Sequence, residues 1–177
     1  WCGNGNALLQ PAKYVKGLLD ALPANVTLFE NTEITGLERL SGGRIRAKGT
    51  QGNIEASQVL VCLNAFIPRA GITHSATFPM ELSASLTRPL TDKEYQAIGN
   101  VEPWGVLSTR PLGATVRLTP DRRVMIRNTA EYRTRDLSAS DLLQRRKHHV
   151  LGLQRRFPGL GEQDIHYTWT GHLSASR

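Results

Sequence analysis

Residues 115–127 read TVRLTPDRRVMIR, and this stretch predicts two antiparallel β-strands joined by a short turn. The flanking runs, 115–118 and 124–127, contain the β-branched and apolar residues that favour extended backbone. Between them lie Pro120 and Asp121, which are typical of turns because proline fixes φ and aspartate hydrogen-bonds to nearby backbone. This hairpin indicates that antiparallel sheet is central to the fold.

Other strand signals lie on both sides of this hairpin. Residues 34–40 and 44–48 flank the sequence SGG, which predicts another hairpin. The run VLVCL at 59–63 closes a stretch that begins at Ile54. Such continuous apolarity is typical of a strand covered on both faces, as in a layered α/β sheet. Shorter strands are predicted at residues 26–29, 82–86 and 165–169.

Helices are predicted between these strands. Apolar residues recur at helical spacing after Pro11, which suits a first helical turn, and Pro23 ends the pattern. Thr91 begins the pattern of a capping box, and Ser138 is expected to cap a longer helix. Because helices and strands occur in mixed order, the expected fold class is α+β: a mixed, largely antiparallel sheet with helices packed on one side.

Composition and charge exclude several classes of protein. The 177 residues are 40% hydrophobic and 21% charged, which fits a globular chain. No apolar run approaches the ~18 residues of a membrane span, so no membrane partner is expected. The net charge is +7, but the basic residues are scattered with few aromatics between them, so no nucleic-acid partner is expected. The alternative, a basic nucleic-acid-binding module, predicts affinity that falls steeply with salt.

Few residues carry a chemical signal by themselves. Cys2 and Cys62 are too few for a disulfide framework and are expected to be reduced, which indicates the cytoplasm. No spacing of Cys and His matches a metal site, so no metal is expected. The pair His148-His149 lies in a basic helix and is expected on its solvated face. No dinucleotide fingerprint, P-loop or nucleophile elbow is found, so the catalytic residues stay unknown.

Several short motifs occur in an order that resembles one enzyme family. They are QPA at 10–12, VCLNA at 61–65, VRLTPDRRV at 116–124, RFPGL at 156–160 and YTWTG at 167–171. In this order they are similar to the middle of the flavin-dependent amine and amino-acid oxidases, the D-amino-acid oxidase and glycine oxidase superfamily. The nearest subgroup is the gamma-glutamylputrescine oxidase-like enzymes.

The resemblance implies FAD as the cofactor and gives five residues a place beside it. Ile34 corresponds to a strand that passes the adenine. Asn64 and Ala65 correspond to the small-residue turn that approaches the ribose and phosphates. Trp169 and Gly171 correspond to a segment near the flavin and the substrate.

The resemblance also implies a substrate site. Arg117 and Arg127 lie on the hairpin where relatives use arginines to hold substrate carboxylates, which a planar guanidinium binds through two hydrogen bonds. Ordinary exposed strand arginines are the alternative. The implied substrate is a small amine or amino acid whose C–N bond is oxidised by hydride transfer to flavin.

The resemblance divides the chain into two parts. Residues 1–66 match part of an FAD-binding domain without its fingerprint, and residues 67–177 match the substrate-binding domain. We therefore expect an internal fragment of an FAD-dependent oxidoreductase that alone neither binds FAD nor turns over substrate. It is expected either to expose apolar surface near residues 59–63 and Trp169 or to self-associate so that this surface is covered. The alternative is a stand-alone ligand-binding domain without redox activity.

Overall fold

The computed structural model describes residues 7–70, 77–110, 112–133, 137–160 and 164–176. The chain divides into two compact units: the smaller is Leu9–Ala76, and the larger is Thr77–Arg177 together with Trp1–Leu8. The assignment of residues 1–66 to an FAD-binding domain and of 67–177 to a substrate-binding domain stays a prediction. No helix among the described residues is long and apolar enough to span a membrane.

The smaller unit contains one helix and a three-stranded antiparallel sheet. Helix α1 (Pro11–Asp20) begins where predicted, and the Gln10 side chain caps it by accepting a hydrogen bond from the Lys13 N–H at 2.6 Å. Strands β1 (Ile34–Arg39), β2 (Ile45–Gly49) and β3 (Gly52–Ala56) pair in that order. The predicted SGG turn joins β1 to β2. Its glycines have φ of 74° and 77°, a left-handed conformation that other residues adopt at a cost.

Two strand predictions in the smaller unit are wrong. Residues 26–29 form no strand, and β3 ends at Ala56, so the run VLVCL at 59–63 lies outside any strand. Its side chains are not covered on both faces, since Leu60 is 89% exposed. A buried parallel strand needs strands along its edges and helices on its faces. In the part of the chain that the structure describes, no strand pairs with this run.

The larger unit is built on five strands. Their bounds are β4 (Thr77–Thr87), β5 (Trp104–Leu107), β6 (Thr115–Leu118), β7 (Val124–Tyr132) and β8 (Ile165–Ser176). They form one sheet in the order β5-β6-β7-β4-β8, and each of these neighbouring pairs is antiparallel. β6 and β7 are the hairpin predicted from residues 115–127. The predicted α+β fold is therefore confirmed, with β8 running further than expected, through Gly171.

Two helices of the larger unit begin at the predicted caps. Helices α2 (Asp92–Ala97) and α3 (Ala139–Arg156) both start with capping boxes, at Thr91 and Ser138. α3 lies on one face of the five-stranded sheet, where Leu153 joins a core that includes Ile126. Gly152 allows this close packing, because a Cβ there would lie 2.9 Å from the Ile126 Cδ1 atom.

A bulge interrupts the pairing of β4 with β7. Ser83 pairs with Thr129 and Ser85 pairs with Ile126. An advance of two residues along β4 therefore corresponds to an advance of three residues along β7. The extra residue is Asn128, whose side-chain amide donates a hydrogen bond to a backbone carbonyl of α3 at 3.2 Å. The bulge thus gives β7 one additional contact with the helix.

Candidate functional site on the sheet face opposite α3

The two faces of the five-stranded sheet have different surroundings. α3 covers one of them, which we call the helix face. The other, which we call the open face, carries large side chains that are between 42% and 62% exposed: Phe78, Tyr132, Tyr167, Trp169 and Leu173. A cluster of exposed aromatic and aliphatic side chains is typical of a binding surface.

Two of the predicted site residues reach the open face from β6 and β7. Successive side chains of a strand point to opposite faces. Val116 and Leu118 are buried in the core, so Arg117 between them points to the open face. Arg127 follows the fully buried Ile126 and points the same way.

Trp169 and Gly171 reach the same face from β8. The two threonines that flank Trp169 hydrogen-bond to Ser85 and Glu81 on the helix face, so Trp169 and Gly171 point away from α3. Trp169 lies opposite Ala84 of β4. The structure therefore brings together on one face the four site residues predicted in this part of the chain.

Arg127 is the arginine closer to Trp169. Ala84 of β4 lies between the pairing positions that flank Arg127 on β7, and it pairs with Trp169 of β8. Arg127, Ala84 and Trp169 are therefore at about the same height along their three strands. Two interstrand steps of ~4.8 Å separate the strands of Arg127 and Trp169 by roughly 10 Å. The Arg127 Nη2 donates hydrogen bonds to the Gly113 carbonyl at 2.6 Å and to Thr115 Oγ1 at 2.9 Å. These bonds hold a half-buried guanidinium at one end of an apolar surface.

Arg117 lies one strand further from β8. Its side chain runs past Gly105 of β5, where an added Cβ would lie 3.5 Å from the Arg117 Cγ. Three interstrand steps, roughly 14 Å, separate its strand from β8. Arg127 and Trp169 are therefore the better matched pair for one small ligand that has an anionic group and an apolar part.

The predicted cofactor residues of the smaller unit lie along a groove. The groove has a volume of about 730 Å³ and is lined by residues 32–37, Ala47, residues 59–63 and Phe66. Ile34 is part of this lining. Asn64 and Ala65 lie between the lining residues Leu63 and Phe66, and Asn64 takes a left-handed φ of 44° at the start of a short 3₁₀ helix. The groove is within the ~300–1,000 Å³ range of small-molecule sites.

Comparison with known proteins identifies the family. The model of the FAD dependent oxidoreductase family matches residues 1–177. The chain belongs to this family. No curated protein matches it at a significant level. The predicted membership of the D-amino-acid oxidase and glycine oxidase superfamily is confirmed, while the subgroup stays a prediction.

Solved structures of this flavoprotein family share the fold. Glycine oxidase from Geobacillus kaustophilus is 17% identical with a TM-score of 0.60, and the match covers 85% of this chain and 38% of the glycine oxidase chain. L-proline dehydrogenase from P. horikoshii is 23% identical with a TM-score of 0.61, and covers 84% and 39%. L-amino acid deaminase from Proteus vulgaris is 19% identical with a TM-score of 0.56, and covers 93% and 38%. The chain thus spans about two fifths of the length of these structures.

The groove suits one part of the FAD that this family uses. Its walls are mostly apolar, and the edge of β1 borders it, so a flat aromatic ring can pack there beside backbone polar groups. Glu33 is one of the lining residues, and a carboxylate is an acceptor for hydrogen bonds from hydroxyl groups. Apolar walls with a few polar groups suit the adenosine end of FAD.

His149 is an important residue that the sequence analysis misplaced. It was expected on a solvated face with His148, but it is fully buried and lies on the helix face. Burial, reinforced by the positive charges of His148 and Arg145, lowers the pKa of His149 to about 4. Its position four residues before the core residue Leu153 is the signal that could have found it.

The polar groups around His149 form a compact layer. His149 Nδ1 hydrogen-bonds to Ser85 Oγ at 2.7 Å, and Nε2 lies 3.4 Å from Ser83 Oγ and 3.3 Å from Thr129 Oγ1. Ser85 Oγ in turn hydrogen-bonds to Thr168 Oγ1 at 2.9 Å. No group of three or more His, Cys, Asp or Glu in the described ranges could hold a metal ion. The layer is therefore a hydrogen-bond network that connects α3 to three strands.

Proposed function

We propose that this protein oxidises the C–N bond of a small amine or amino acid. The observation that carries the proposal is the shared open face of Arg127, Arg117, Trp169 and Gly171. The names of similar solved structures support it, since glycine oxidase, iminodiacetate oxidase and L-amino acid deaminase are named after small amino compounds that carry carboxylates. FAD, when bound, would accept the hydride.

The residues of the open face would bind and orient the substrate. The Arg127 guanidinium would hold the substrate carboxylate, because its contacts with Gly113 and Thr115 fix its direction before binding. Arg117 would add positive charge further along the face. Trp169 would pack against the apolar part of the substrate and exclude water, and Gly171 would leave room beside it.

The smaller unit would hold the cofactor. Ile34 would pack on the adenine, and the backbone of Asn64 and Ala65 would approach the ribose and phosphates. An acidic replacement in the groove tests this assignment. Ile34→Asp is expected to weaken FAD binding by the full-length protein, measured by equilibrium dialysis. Leu37→Asp, also in the groove lining, is expected to do the same. Unchanged FAD affinity in both variants would contradict the assignment.

Anaerobic flavin reduction tests the reaction. The full-length protein with FAD is mixed with a panel of amino acids and with the same amines lacking the carboxylate, and the loss of flavin absorbance is followed. Arg127→Met is expected to raise the concentration of carboxylate substrate that gives half-maximal rate of flavin reduction roughly 10- to 100-fold, since a hydrogen bond to a charged group contributes about 1.5–3 kcal/mol. Arg155→Met is the matched control, because Arg155 is exposed on α3.

The outcomes separate the candidate functions. Equal effects of both substitutions would remove Arg127 from the substrate site. A protein that binds the compounds without reducing flavin would be the stand-alone ligand-binding domain.

Two further proposals accompany the function: residence in the cytoplasm, and self-association through exposed apolar side chains such as Leu60 and Trp169. Sedimentation over a range of protein concentrations tests the second.

A further inference from the structure

The hydrogen-bond network of the helix face lies directly behind Trp169. Thr168 and Thr170 flank Trp169 in β8, and both of their hydroxyl groups point to the helix face. Thr168 Oγ1 is bonded to Ser85, and Ser85 is bonded to His149. The segment that presents Trp169 to the open face is thus held from the opposite side of the sheet.

The second threonine is also bonded on the helix face. Thr170 Oγ1 donates a hydrogen bond to the Glu81 carboxylate and lies 3.2 Å from the Leu82 carbonyl. Glu81 is 3% exposed, and its other oxygen lies 4.0 Å from the Arg133 Nε. A carboxylate removed from water favours any donor that reaches it, so the bond from Thr170 is strongly maintained.

We propose that His149 is a positioning residue for Trp169, acting through Ser85 and Thr168 from the helix face of the sheet. The inference rests on the proposed function, in which Trp169 orients the substrate. His149 is suited to this role because its two nitrogens reach hydroxyl groups of both β4 and β7, while Ser85 extends the chain of bonds to β8. Loss of the imidazole leaves these buried hydroxyls without that partner and weakens the side-chain contact that holds β8 at Thr168.

Fluorine NMR tests the positioning without any flavin chemistry. The full-length protein is labelled with 5-fluorotryptophan, and Trp169→Phe assigns the resonance of Trp169. Trp104 serves as an internal control, because it lies in β5, at the opposite edge of the sheet from β8. In His149→Leu, the Trp169 resonance is expected to shift or broaden, while the Trp104 resonance keeps its position.

Conservative variants distinguish positioning from general loosening. His149→Asn is expected to return the Trp169 resonance towards its wild-type position, because an asparagine amide reaches about as far as Nδ1 and can bond to Ser85. Ser85→Ala and Thr168→Val are expected to shift the Trp169 resonance as His149→Leu does. If His149→Leu does not fold, these two variants decide the question.

Two results would overturn the inference. One is a Trp169 resonance that is unchanged in folded His149→Leu or in Thr168→Val. The other is a Trp104 resonance that moves as much as that of Trp169. Addition of small amino acids to the FAD-loaded protein, without oxygen, then tests the proposed function separately. If none of them changes the Trp169 resonance although His149 controls it, the positioning stands and the role of Trp169 in orienting the substrate fails.

Discussion

The two faces of the five-stranded sheet differ most in the side chains that β4 and β8 place on them. On the helix face, β4 buries Glu81, Ser83, Ser85 and Thr87, which are at most 3% exposed. On the open face, β8 leaves Trp169 and its aromatic and aliphatic neighbours in contact with solvent. Buried hydroxyls and carboxylates cost free energy unless they are bonded, and here α3 and the neighbouring strands bond them. The comparison teaches that β4 adds a bonded polar layer to the packed face beside the apolar core of β6 and β7, whereas β8 leaves large apolar side chains exposed on the other face.

Removing core volume from the helix face is expected to have the largest effect on stability. Leu153→Ala deletes most of a side chain that is 1% exposed and is expected to lower the free energy of unfolding by about 2–5 kcal/mol. Leu151→Ala, on the same helix but 50% exposed, is expected to change it by less than about 0.5 kcal/mol. Urea unfolding measures both. Similar effects of the two variants would mean that α3 does not pack as described.

The pH dependence of stability sharpens the role of the polar layer. The pKa of His149 is about 4 in the folded chain against an ordinary value of 6.5, so between these pH values the unfolded chain binds a proton that the folded chain does not. The contribution of neutral His149 to the free energy of unfolding is full above about pH 6.5. It falls as the pH drops and levels off below about pH 4. The loss is about 3 kcal/mol.

Urea unfolding at about pH 7, 5.5 and 4.5 measures this loss. His149→Asn is expected to flatten the pH dependence over this range, because the substituted side chain does not titrate. His148→Asn removes one charge that lowers the pKa of His149 but leaves its burial, the main cause, in place, so most of the wild-type slope is expected to remain. A wild-type slope in His149→Asn would show that another group accounts for it.

Two glycines provide a matched test of the two faces. A Cβ at Gly152 would press on Ile126 and Asn128, so Gly152→Ala is expected to cost about 1–3 kcal/mol despite the better helix propensity of alanine. A Cβ at Gly171 would meet nothing within 4 Å, so Gly171→Ala is expected to change stability by less than about 1 kcal/mol. Thermal unfolding of both variants makes the comparison. Equal losses would contradict the assignment of a packed face and an open face.

The smallest effect on stability is expected from the aromatic side chains of the open face. Trp169→Ser removes an indole that is 45% exposed, and the free energy of unfolding is expected to fall by less than about 1 kcal/mol. Binding of a hydrophobic dye is expected to decrease in the same variant. Tyr14→Ser, which removes an exposed aromatic ring from α1, is the control and is expected to keep more of the dye signal. Unchanged dye binding in Trp169→Ser would mean that this face is not the accessible apolar surface.

Local signals predicted much of this structure from the sequence. The hairpin at 115–127, the SGG turn and the caps at Thr91 and Ser138 depend on residues a few positions apart, and all are found. The common face of Arg117, Arg127, Trp169 and Gly171 also follows from alternation, once the strands are known. What each of these residues binds stays a prediction.

Long-range packing accounts for what the sequence analysis missed. Residues 59–63 have the composition of a covered strand, but pairing depends on partners that composition does not reveal. His149 lies in a run of cations that is typical of a solvated helix face. Its burial depends on hydroxyl groups of Ser83, Ser85 and Thr129, which are between 20 and 66 residues away in the sequence.

The bulge at Asn128 also bears on how this sequence should be aligned with its relatives. Ile126 and Thr129 both face α3, Arg127 faces the open surface, and Asn128 is the supernumerary residue between them. A relative that lacks this one residue would keep every other side chain of β7 on its present face, whereas a gap elsewhere in the strand would exchange the two faces. A one-residue gap at this position is therefore structurally silent. An alignment that moves it would assign the residue that corresponds to Arg127 to the wrong side of the sheet.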